Sequence, residues 1–182
     1  MIVLTSLMSC ATIVAMEAQM RRTTKIMVAA LLVASFGCSG PGVVISGITY
    51  FDVPQTVSNA DLKFVSSKVS EVTGYDVDTD ATDAVLSVSW SDLDGPDGVY
   101  HPDVELIEIS TEHNEDVGEK AAHMFTLAHE LLHFLAQHHL QHRDDPHDYP
   151  WFVQYASRHD IPVAETAEMI LWLSIKSYCQ GL

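Results

Sequence analysis

Basic residues are scarce in this chain. Nine Lys and Arg stand against 25 Asp and Glu in 182 residues, a formal net charge of −16. Such a surface repels phosphate backbones and anionic headgroups, so nucleic acid is not an expected partner. Cysteine is scarcer still. Cys10, Cys38 and Cys179 are the only three, which excludes a disulfide framework and a cysteine zinc site. Any metal must then be held by His and carboxylates. The apolar run over residues 26–36 falls short of the ~20 residues that a helix needs to cross a bilayer.

What that run does fit is a leader. Arg21, Arg22 and Lys25 precede it, giving a positive n-region followed by an apolar h-region of signal-peptide length. Gly37-Cys38-Ser39-Gly40 comes next and resembles a bacterial lipoprotein cleavage site, which implies membrane attachment through a lipidated Cys38. Residues 1–19 lack a basic flank and read as an extra or mis-assigned segment ahead of a start at Met20 (or Met16). Residues 20–38 then read as a signal peptide of lipoprotein type, 39–57 as a tether and first strand, and 58–182 as one folded domain. The expected location is extracytoplasmic, either as a cell-envelope lipoprotein or as a secreted protein.

Within that domain the periodicities alternate between the two kinds. A first strand is expected near residues 43–51. Leu62, Val65, Val69 and Val72 recur at helical spacing, with Ser58 or Asn59 to cap the helix and Gly74 to end it. Asp76, Asp78 and Asp80 alternate like a calcium loop. The sixth and twelfth positions, which an EF-hand fills with Gly and Glu, hold Ala81 and Ser87. A solvated acidic turn is the reading preferred there. Strands follow at 84–90 and 104–110, separated by a turn-rich loop over 92–98. A helix over 119–139 is apolar on most of its circumference and should be central and buried. A short helix over 151–157 and a last one, capped by Asp160 and running to about Tyr178 before Gly181, complete the chain. This is an α+β layer architecture: a small mixed sheet packed on a buried helix, with a C-terminal helix.

The buried helix carries the chemistry. His129 and His133 are four residues apart, so their imidazoles leave one face about one turn apart, the spacing that lets two of them hold one tetrahedral Zn²⁺. Glu130 lies beside the first. Two surface histidines on an ordinary helix would give the same spacing. Here Phe125, Leu127 and Ala128 precede the trio and Phe134 and Leu135 follow it, and polar groups inside an apolar helix need partners that a metal would supply.

His129-Glu130-Leu131-Leu132-His133 is the HExxH motif of zincin metallopeptidases. Residues 129–139, HELLHFLAQHH, resemble the metzincin pattern HExxHxxGxxH, with His139 in the place of the third ligand and Ala136 in the place of the glycine. That glycine lets the chain turn back to the metal; the family's methionine turn has no clear counterpart, Met169 being the only methionine downstream. Residues 125–131 also resemble small gluzincin-type peptidases, whose third ligand is a later glutamate, and Glu165 and Glu168 are then the candidates. His113, His123, His138 and His142 are read as solvated or as supporting the site from outside the metal.

The resemblance implies a zincin-like fold over 58–182, a Zn²⁺ cofactor held by His129, His133 and His139, and Glu130 as the general base of peptide-bond hydrolysis by zinc-activated water. The expected partner is a protein or peptide substrate. The alternatives are a gluzincin-type site using Glu165 or Glu168, and a metal-binding lipoprotein without turnover. The strand over 104–110 is expected to lie at the sheet edge, where such peptidases align their substrate.

Overall fold

The computed structural model describes residues 42–95, 97–112, 118–140 and 147–182. The leader, Cys10, Cys38, His113 and His142 lie outside the described residues. Among the described residues no helix is long and apolar enough to cross a membrane.

The described residues begin with a hairpin, β1 (Val43–Ile45) and β2 (Ile48–Phe51), rather than one long strand. Ser46 and Gly47 turn it with φ of 52° and 73°, the paired positive values of a type I′ turn, whose twist matches the flanking strands. A side chain at Gly47 would strike Thr82 and the Asp78 carbonyl, so the turn needs glycine twice over. Helix α1 (Asn59–Thr73) follows the expected face, burying Leu62, Val65 and Val69, and Gly74 ends it in the left-handed region. Its start is a capping box: Asp61 N–H donates to Ser58 Oγ, and Ser58 N–H donates to Asp61 Oδ2 at 2.7 Å.

The acidic turn is in fact helix α2 (Val77–Ala84). Asp76 caps it, accepting from the Asp78 and Thr79 amides, while Val77, Ala81 and Ala84 are buried at helical spacing. The aspartates that looked like cation ligands are a cap and an outer face. Strand β3 (Ser87–Ser91) is buried on both faces in all but its last residue. Strands β4 (Gly98–His101) and β5 (Leu106–Ser110) complete one five-stranded sheet in the order β1-β2-β3-β5-β4. The inner pairs β2–β3 and β3–β5 are parallel and the outer pairs antiparallel, and the doubly buried β3 is what a parallel centre requires. The strand expected at the edge, β5, is therefore internal. The edge on that side belongs to β4, which begins where the expected turn-rich loop ends.

Helix α3 (Glu119–Leu140) packs against α1, β4, β5 and the last helix, α5 (Ala167–Gln180). Leu127, Leu131, Leu132, Phe134 and Leu135 are fully buried on it, as its near-continuous apolar surface predicts. Between them lie α4 (Val153–Arg158) and a 3-10 turn at Val163–Glu165, which takes the place of the first turn of the expected last helix. The α5 cap is Thr166, not Asp160.

One buried carboxylate joins three of these helices. Asp61, in the first turn of α1, pairs with Lys120 of α3 at 2.8 Å and receives the Tyr178 hydroxyl of α5. Burial works against its charge, but the bonds from Lys120, Ser58 and Tyr178 outweigh it and hold the carboxyl below the usual aspartate range. Asp61→Ala is expected to cost about 2–3 kcal/mol at neutral pH, measured by urea unfolding. A depressed folded-state pKa stabilises above the unfolded value and is lost as pH falls through the folded one. The gap between wild type and variant should therefore narrow in acid.

Candidate metal centre

His129 and His133 lie one turn apart on α3 and turn their Nε2 atoms toward each other at 3.0 Å, with ring planes 81° apart. The back of His129 is held from α5, where Glu168 Oε1 lies 3.0 Å from Nδ1. A carboxylate only accepts, so in the neutral ring Nδ1 donates and the lone pair sits on Nε2, facing His133. The second oxygen, Oε2, accepts the Val153 N–H at 2.7 Å, which ties the same carboxylate to the start of α4.

The segment ahead of α4 completes the group. His147 brings its ring to 5.5 Å from His129 and 4.7 Å from His133, centroid to centroid. One nitrogen from each of His129, His133 and His147 lies within 4.8 Å of the others. Phe152, fully buried, stacks on His133 at 4.7 Å and presents its edge to the other two rings. Two nitrogens bound to one tetrahedral Zn²⁺ stand about 3.3 Å apart. The observed 3.0 Å, a third imidazole within reach and a carboxylate behind the first all suit that ion.

His139 is not brought to this group. The helix runs through Ala136, which is buried, without a break. Six residues past His133, a helix has advanced about 9 Å. There His139 Nε2 meets Asp80 Oδ2 at 2.6 Å and its ring stacks on Tyr75 at 4.0 Å. The turn that the metzincin pattern obtains from glycine does not form. Of the glutamates, Glu165 is exposed in the 3-10 turn. Glu168 does reach the site, but at the outer nitrogen of His129. His123 and His138 lie elsewhere on α3, beside Trp90 and Phe134.

Glu130 projects toward the sheet. It is 4% exposed, and burial pushes its carboxyl up to about 7, against the opposing pull of the His129 charge and the Tyr100 N–H. That contact places it against β4. A side chain on Gly98 would come within 2.6 Å of Thr126 Cγ2 and 3.1 Å of Glu130 Oε1, so glycine is what allows the edge strand to lie this close. Comparison of the chain with protein-family models, curated proteins and solved structures gives no match.

His147, Phe152 and the Gly98–Tyr100 edge escaped the sequence reading. The motif marks only its own helix, and nothing in the spacing between His133 and His147 marks the latter as a neighbour.

Metal titration followed by equilibrium dialysis should saturate at about one Zn²⁺ per chain. His147→Ala is expected to weaken binding more than about 100-fold, and Glu168→Gln by 10–100-fold through loss of the fixed tautomer (the second figure being typical for such supporting carboxylates). His139→Ala should bind as wild type does. Gly98→Ala should destabilise the fold by about 1–3 kcal/mol in chemical denaturation, because either strand or helix must shift.

Proposed function

We propose that this protein is a zinc-dependent peptidase hydrolysing peptide bonds within extended chains. The observation that carries the reading is an imidazole trio, His129, His133 and His147, with a buried carboxylate, Glu130, next to His129 on α3 and against the edge strand of the sheet. His129, His133 and His147 would hold the ion. When bound, Zn²⁺ supplies Lewis acidity, which polarises a carbonyl and makes a water acidic enough to react near neutral pH.

The remaining work falls to the chain. Glu130, a buried carboxylate next to His129, would take a proton from water and return it to the departing amine. The Tyr100 N–H fixes the direction of that carboxylate. Phe152 walls one side of the imidazoles and keeps bulk water from their edges. Strand β4 ends the sheet, and an extended peptide added along it would lie beside Glu130.

The three-imidazole donor set has the composition of the metzincin resemblance, with the third histidine supplied from outside the motif. The gluzincin alternative is less well supported, because Glu168 is occupied behind His129. Export follows from the leader over residues 20–38 and remains part of this proposal, as does attachment through Cys38.

Glu130→Gln should keep its Zn²⁺ while peptide cleavage falls by at least 10²–10⁴-fold, the usual worth of a proton-transferring group. Metal content by atomic absorption and cleavage of a quenched fluorescent peptide read the two properties separately. Undiminished cleavage in the variant would remove Glu130 from the chemistry, and tight zinc binding by a wild type that cleaves nothing would leave a metal-binding protein without turnover.

A further inference from the structure

Beyond β4 no further strand lies among the described residues. In an antiparallel pair the hydrogen-bonded residues alternate. Ser110 N–H donates to the Asp97 carbonyl at 2.8 Å, which puts Asp97 and Val99 in register toward β5 and turns the backbone groups of Gly98 and Tyr100 outward. The Tyr100 N–H is used by Glu130. The open edge thus begins at Gly98, beside the carboxylate.

The segment that carries it bears one sign of charge. Residues 92–112, which lead into β4 and continue through β5, hold seven carboxylates and no Lys or Arg. Among them, Glu105 accepts the Tyr100 hydroxyl at 2.7 Å, and Glu108 pairs with His101 at 2.8 Å. Asp92, Asp94, Asp97 and Glu112 are exposed and line a cleft of about 450 Å³ at the upstream end of β4. A strand laid along the edge would pass this cleft. Neighbouring Cα atoms are about 3.8 Å apart, so a residue of that strand entering the cleft at Asp97 would be within about two positions of the bond facing Glu130.

Resting on the peptidase reading, we infer that the edge strand selects basic peptides: extended segments whose Lys or Arg side chain enters the acidic cleft within about two residues of the bond to be cleaved. Main-chain hydrogen bonds to Gly98 and to the Tyr100 carbonyl give register, and the carboxylates give selectivity.

The test uses the zinc-loaded Glu130→Gln variant and labelled extended peptides in which one position is Lys or its uncharged counterpart norleucine. Binding is read by fluorescence anisotropy. The Lys peptide is expected to bind about tenfold more tightly at low salt, with the preference shrinking as ionic strength rises. Adding Asp92→Asn, Asp94→Asn and Glu112→Gln together should bring the ratio of the two affinities close to one. Equal binding of the two peptides, or a preference that survives the three substitutions, overturns the inference. Wild-type cleavage separates it from the reading beneath it. If both peptides are cut equally well, the selectivity is wrong and the peptidase stands. If Lys peptides bind selectively and none is cut, the docking surface stands and the peptidase falls.

Discussion

The carboxylate of Glu168 has two oxygens, and each holds a different part of the candidate centre. One fixes the His129 ring. The other holds the first amide of α4, while the Glu168 amide donates in return to the Trp151 carbonyl at 3.0 Å. The segment around residues 147–153 is thereby latched to the first turn of α5, and it is this segment that carries Phe152 and His147 to the imidazoles of α3. Burial opposes a charge at Glu168, but the bonds from His129 and Val153, with the charges of His129 and His147, outweigh it and keep the carboxyl below the usual glutamate range. An ionised anchor of this kind makes the third imidazole depend on α5 as much as on its own segment.

Helix α3 reconciles two conflicting demands. Its five fully buried Leu and Phe side chains each contribute about 1.5–3 kcal/mol by leaving water, on the order of 10 kcal/mol together. Against that stands Glu130. Raising its carboxyl from 4.5 to about 7 corresponds to about 3 kcal/mol against its charged form. The apolar surroundings exceed this by enough that a carboxylate can sit inside the helix without undoing it.

Local signals were legible where local physics decides the outcome. Ser58, the apolar positions 62, 65 and 69, and Gly74 define α1 from end to end, and the all-round apolar surface of α3 marks it as the buried helix. The α+β class followed from these. Helix α2 was hidden because three small buried residues, Val77, Ala81 and Ala84, are outnumbered by aspartates whose role is capping and solvation. The edge position of β4 was hidden because topology, not pattern, decides which strand is outermost. At the centre, the HExxH pair was visible because its spacing is helical. The third imidazole was not, since its approach depends on tertiary contacts through Glu168 and Phe152. Ala136 already argued against a sharp turn before His139, and the helix does run on through it.

That unbroken helix changes where the third imidazole can come from. His147 lies fourteen positions after His133, against six for His139. Chain closure grows only logarithmically with length, about 0.6 kcal/mol per doubling, so the longer route costs less than about 1 kcal/mol more. Forcing Ala136 into a left-handed turn would cost about 1–2 kcal/mol, as much or more. A long connection also separates two properties that a tight turn binds together: its length can drift through insertion or deletion while His147 keeps its place, provided that Phe152 and Glu168 still seat the segment beyond it.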